Sequence, residues 1–130
     1  MLKICVVYFD GFYTPDYVTN LHDSLRKHTT VDFEFVCLSD NKNIKADIVL
    51  PYNHHSDIKK HWHKLKFFSP LFGNQQPNDD IIIMDIDQVI LQNIDDLITW
   101  PVKENELVTY GQWWENKLGI NGGFYKRSEE

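Results

Sequence analysis

Positive charge, cysteine and long apolar runs are all scarce in this chain, and each shortage removes a class of function. Its 13 Lys and Arg residues are outnumbered by 19 Asp and Glu, for a net charge of -6. A nucleic-acid-binding protein needs a basic face to meet phosphates, and this balance lacks that footprint. No apolar stretch approaches the roughly 20 residues that cross a bilayer. The opening segment Met1–Val7 is short and strand-like, and Asp10 interrupts it early, so it does not read as a signal peptide. A cytoplasmic location is therefore expected. The two cysteines, Cys5 and Cys37, sit inside apolar strand patterns. A disulfide between neighbouring strands would fit that placement, but buried thiols in a reducing compartment are the expectation. Internal repeats, low-complexity tracts and linkers are also missing.

What remains is a soluble α/β pattern. The 130 residues suit one domain, 1–130, with a single core, and the 42% hydrophobic content supplies enough apolar side chains to fill it. A β-branched run from Lys3 to Phe9 ends at Asp10-Gly11. Pro15 suits the first turn of a helix with Thr14 as N-cap, and Tyr17, Val18, Leu21 and Leu25 recur at helical spacing to about Lys27. Strands are predicted at Phe33–Leu38 and Asp47–Leu50, then a helix over about Asp57–Leu71 with Ile58, Trp62, Leu65 and Phe68 on one face. Gly73 to Asp79 reads as a turn. Strands alternating with helices imply right-handed crossovers and a mainly parallel central sheet in a three-layer α/β/α sandwich.

The run Ile81-Ile82-Ile83-Met84-Asp85-Ile86-Asp87 carries the chemistry. Four consecutive apolar residues read as a strand buried on both faces in the middle of a parallel sheet. An extended backbone has period two, so Asp85 and Asp87 project to the same side at the strand's C-terminal end while Ile86 turns back into the core. Ligands of open α/β sheets bind at that edge. Two adjacent carboxylates are costly unless a cation sits between them, which points to a hard divalent metal with a phosphate-bearing ligand.

Four pieces of the chain, in order, resemble nucleotide-sugar-dependent glycosyltransferases of the GT-A fold, nearest the glycogenin-like and lipopolysaccharide-type enzymes and their viral relatives. They are Val6–Tyr13, the text Trp62-His63-Lys64-Leu65-Lys66-Phe67-Phe68, the D-x-D strand continuing into Gln92–Leu97, and Gly119-Ile120-Asn121-Gly122-Gly123-Phe124-Tyr125. The resemblance implies a hexosyltransferase-type enzyme that uses a nucleotide-diphosphate sugar, with a UDP-sugar favoured, and transfers the sugar to a glycan, lipid or protein. It implies Mn²⁺ or Mg²⁺ at Asp85 and Asp87, the second aspartate as direct ligand and the first also contacting the ribose. Tyr8, Phe9, Asp10, Tyr13, Asp40 and Ile86 then fall in the nucleotide's part of the site, with Tyr13 placed to stack on the base and Asp40 to accept its N–H. Lys64, Asp85, Asn121 and Gly122 fall near the phosphates and donor sugar. The same residues also admit plain readings: polar loop positions, a surface lysine among Lys59, Lys60 and Lys66, and turn glycines.

The resembled enzymes are substantially longer, and their second half supplies the acceptor pocket and a histidine that completes the metal shell. This sequence therefore reads as the nucleotide-binding half. A partly apolar surface near Trp113, Trp114, Phe124 and Tyr125 is expected, with self-association into a homo-oligomer through it or a partner segment that docks on it. No catalytic residue can be named. Two other readings stay open: a non-catalytic nucleotide-sugar-binding module, and a haloacid-dehalogenase-like phosphatase with Asp85 as nucleophile, since Asp85-Ile86-Asp87-Gln88-Val89 fits that motif. The motif's late position counts against the phosphatase. His54, His55, His61 and His63 do not suit a structural zinc site, because no cysteine lies near and His61 and His63 are two apart on a helix.

Overall fold

The computed structural model describes residues 1–51, 60–69, 72–104, 106–111 and 120–128, with backbone alone at 60–62, 110–111 and 120–122. Six strands form one sheet: β1 (Leu2–Val7), β2 (Glu34–Leu38), β3 (Ile48–Leu50), β4 (Asp80–Met84), β5 (Val108–Gly111) and β6 (Ile120–Ser128). Their spatial order is β3-β2-β1-β4-β6-β5. β1 runs parallel to β2 and β4, and β2 parallel to β3. Only β6 breaks the pattern, pairing antiparallel with β4 and β5. The predicted mainly parallel sheet and the central place of Ile81–Met84 are both found.

Alternation along the three central strands sorts side chains into two apolar layers, as period two requires. Ile4, Val6, Phe35, Cys37, Ile82 and Met84 face one side, and Cys5, Val7, Val36, Leu38, Ile81 and Ile83 face the other. The cysteines thus lie on opposite faces of adjacent strands. That placement rules out a bridge between them; both are buried free thiols. Burial in apolar surroundings pushes the Cys37 thiol up to about 12, so it stays protonated and inert.

Helix α1 (Pro15–His28) covers the first face with Val18, Leu21 and Leu25, each fully buried. Burial of three such side chains stabilises the fold by about 1.5–3 kcal/mol apiece, as an upper estimate. Tyr17, expected on this stripe, is 42% exposed. Thr14 occupies the N-cap position, but its hydroxyl makes no capping bond; proline at the first turn and Asp16 against the positive helix end do that work instead. A short second helix, α2 (Asp95–Ile98), adds Ile98 to the same layer.

The opposite face is closed by a 3₁₀ segment, Lys60–Phe68, in place of the predicted α-helix. At three residues per turn, side chains three apart eclipse one another. His63 and Lys66 therefore line a buried ridge, while Leu65 and Phe68, expected in the core, share an exposed one at 56% and 39% exposure. Phe67 is the real anchor, fully buried against Phe72 in the second layer. Arg127 of β6 pins the segment's end by donating to the Phe67 carbonyl (2.6 and 3.0 Å) and to Gln75 Oε1 (2.9 Å). Ile58 lies outside the described residues.

Candidate functional site

The sheet reverses its winding between β1 and β4. From β1 the chain steps outward through β2 and β3, then returns to add β4 on the other side. The connection leaving β1 passes over one face through α1, and the connection entering β4 passes over the other through the 3₁₀ segment. Loops on the two sides diverge there, at the strands' carboxyl ends, where open α/β sheets take their ligands. The sequence-predicted residues converge on this edge.

Asp85 directly follows β4 and is fixed by its backbone. Its N–H donates to the Gly123 carbonyl of β6 (3.2 Å), extending the β4–β6 ladder by one step. Gln88 Nε2 donates to the same carbonyl at 2.7 Å and folds the post-strand loop back onto β6. The Asp85 carboxylate is partly exposed and accepts an ion-paired hydrogen bond from the Lys64 ammonium. Ile86 is buried with Met84 and Phe124, as alternation predicts. Asp87 points back to the exposed side. Its charge reaches both flanking elements: it works against the burial that lowers the Lys64 pKa, and it adds to the burial that raises the Tyr13 pKa.

On the β1 side of this edge, the loop after β1 is braced from within. Tyr8 is buried and its hydroxyl donates to Asp10 Oδ1 at 2.8 Å, with the Tyr13 carbonyl at 3.1 Å. Burial, then the Asp10 carboxylate, pushes the Tyr8 hydroxyl up to about 12. Tyr8 thus aims Asp10 from a buried position. Gly11 turns the loop at φ +123°, where a side chain would be strained whatever the room around it. The Tyr13 ring is half-buried among Phe9, Phe12 and Tyr17, with centroids 4.9–5.8 Å away in edge-on contacts.

Asp40, just past β2, is exposed, and its charge opposes the burial that lowers the Lys66 pKa. Lys66 is almost wholly buried and not the surface residue its lysine-rich context suggested. Asn121 and Gly122 start β6 beside the end of β4, since Phe124 pairs with Met84. Their side-chain surroundings, and those of Trp113 and Trp114, lie outside the described residues. Phe124, expected on an exposed apolar patch, is fully buried instead, because its place opposite Met84 turns it into the α1 layer. Tyr125 is half-buried against Phe68.

Lys66 and Gln88 belong to the site's frame beyond the candidates named from sequence, while Gly123 lies inside the Asn121-Gly122-Gly123 text singled out there. Of the first two, only Lys66 carried a signal, its three-residue spacing from His63. Among the described residues no cluster of three or more His, Cys, Asp or Glu side chains converges, and no helix is long and apolar enough to cross a membrane.

No family model and no curated protein matches this chain. Solved structures do. The crystal structure of the glycosyltransferase GlyE from Streptococcus pneumoniae TIGR4 superposes with a TM-score of 0.71 over 98% of this chain at 14% identity. Its apo form gives 0.67 over 98% at 14% identity. This chain spans about a third of those proteins, 34% and 33% of their lengths. At such identity the likeness speaks to architecture: the chain has an α/β fold of the kind found in glycosyltransferases.

Proposed function

We propose that this chain is the nucleotide-sugar-binding part of a glycosyltransferase that holds a nucleotide-diphosphate sugar at the carboxyl ends of β1 and β4. One observation carries the reading: Asp85 and Asp87 stand at the carboxyl end of the central strand, at the winding reversal, with a lysine ammonium on the first of them. The fold of the solved neighbours supports it. So does the donor set. Two carboxylates are too few to cage a free divalent ion, but they suit Mn²⁺ or Mg²⁺ that keeps water and takes further oxygens from a diphosphate. Asp87 would hold the ion directly, with Asp85 in its shell or on the ribose. When bound, the ion neutralises charge on the departing diphosphate. Lys64 would meet the phosphates, Tyr13 the base, and Asp10 and Asp40 the polar edges of base or ribose. Asn121 and Gly122 would lie at the donor sugar. A UDP-sugar is the favoured donor, with an acceptor from the glycan, lipid or protein classes.

Calorimetric titration with UDP-, GDP- and CMP-sugars, with and without Mn²⁺, tests this. Binding of one nucleotide class only when Mn²⁺ is present is the expected result. Binding indifferent to Mn²⁺ would overturn the metal assignment, and no binding at all would overturn the donor-site reading. Magnesium-dependent turnover of p-nitrophenyl phosphate that disappears in Asp85→Asn would favour the phosphatase chemistry instead.

A further inference from the structure

We propose that Lys64 is the resident counter-ion of Asp85, yielding that carboxylate to a divalent ion and re-pairing with the diphosphate bound alongside it; this rests on the nucleotide-sugar reading above. The Lys64 side chain is only 17% exposed and Asp85 39%, so their ion pair is not a freely solvated surface contact. Lys64 and Phe67 lie three residues apart on one ridge of the 3₁₀ segment. Phe67 is fully buried and its carbonyl is held by Arg127, which fixes the root of the lysine stem. From that root the ammonium reaches the carboxyl end of β4, where the Asp87 charge also acts on it. Without a ligand, Lys64 therefore offsets the repulsion between two carboxylates placed two residues apart.

That arrangement has opposite consequences for the two ligands. A divalent ion arriving alone competes with the ammonium for Asp85, and binds more weakly for it. A nucleoside diphosphate supplies new anionic oxygens to the displaced ammonium, so the ion and the diphosphate together lose nothing. Lys64 thus makes the two bind cooperatively, and the coupling is reciprocal. A compact charge on a flexible four-carbon stem suits such an exchange better than a planar guanidinium fork.

The test measures free Mn²⁺ by electron paramagnetic resonance, with and without UDP, in wild type, Lys64→Met and Lys64→Arg. Lys64→Met should bind Mn²⁺ alone about fivefold more tightly, the upper range for a partly exposed pair. It should bind UDP at saturating Mn²⁺ about fivefold more weakly, whereas Lys64→Arg keeps the wild-type Mn²⁺ affinity. Lys64→Gln serves the same purpose should the methionine variant not fold. Unchanged or weaker Mn²⁺ affinity in the neutral variants, with Mn²⁺-dependent UDP binding intact in wild type, would overturn the counter-ion role alone. Wild-type protein that shows no Mn²⁺-dependent UDP binding would overturn this proposal and the site reading together.

Discussion

Replacing Lys126 by methionine isolates a buried charge that holds the far side of the site's strand. Lys126 lies on β6, and its side chain is 2% exposed. Its ammonium donates to the Ile98 and Trp100 carbonyls, both at 2.7 Å, where α2 ends. Asp80 Oδ2 stands farther off at 3.7 Å and is 45% exposed. Methionine keeps the length and apolar stem but leaves two carbonyls at the helix end without a donor. Each unsatisfied acceptor costs about 1–3 kcal/mol, partly offset because no ammonium need then be desolvated, for a net loss of roughly 3 kcal/mol. With an unfolding entropy of about 2.1 cal/mol/K per residue, that loss lowers the Tm by about 11 °C. The Asp80 contact, half in water, is worth under about 1 kcal/mol, so Asp80→Asn should shift the Tm by no more than about 4 °C. Urea and thermal unfolding followed by circular dichroism measure both variants. If Asp80→Asn destabilises as much as Lys126→Met, the ion pair rather than the carbonyls holds this corner. A methionine variant as stable as wild type would refute the assignment outright.

Two further outcomes are expected. Asp87→Asn should lower Mn²⁺-dependent UDP affinity at least tenfold with an unchanged unfolding midpoint, and Asp85→Asn should lower it less, because Asp85 already shares its charge with Lys64; equal calorimetric affinities in wild type and the Asp87 variant would remove Asp87 from the site. At acid pH, Asp95 should contribute a separate limb of instability. Hydrogen bonds from Thr29, then Thr30 and Asn93, hold its carboxyl well below the ordinary carboxylate range. A depressed folded pKa gives stability that is present above the unfolded value of about 3.9 and is lost as pH falls towards the folded one. Asp95→Asn should therefore show a flatter fall in Tm below about pH 4 than wild type, and parallel curves would sink the idea.

The sequence revealed most where a pattern depended on near neighbours. The Ile81–Met84 run announced its own burial, and the i, i+2 aspartates needed only the period of an extended chain. Helix α1 declared itself through Pro15 and the spacing of Val18, Leu21 and Leu25. The 3₁₀ segment was misread because a period of 3.6 was assumed where the chain uses 3.0, which exchanged the buried and exposed ridges. Contacts across long sequence separations were out of reach. Nothing near Asp95 shows that Thr29 and Thr30 will donate to it from the end of α1, at 2.6 Å each through their hydroxyls. Nothing near Lys126 points to Ile98 and Trp100. The opposite facing of Cys5 and Cys37 likewise follows only once the β1–β2 register pairs Cys5 with Val36 and Val6 with Cys37.

The two aspartates are alike in sequence, yet the fold treats them differently. Asp85 is gripped at both ends, its N–H by the Gly123 carbonyl and its carboxylate by Lys64. It therefore continues the rigid central strand and keeps one orientation. Asp87 comes after the chain has left β4, and its carboxylate is turned to solvent with a half-buried tyrosine opposite. A fixed acid beside an open one suits a ligand that arrives with its own charge. The acid held by its backbone starts from a defined position, while the open one is free to adjust to what arrives. Because β6 both receives the Asp85 N–H and carries Asn121 and Gly122 at its start, a shift of that strand would move Asp85 and these two residues together. The grip of buried Lys126 and half-buried Arg127 on β6 is thus a condition for the geometry of this edge as well as for the stability of the core.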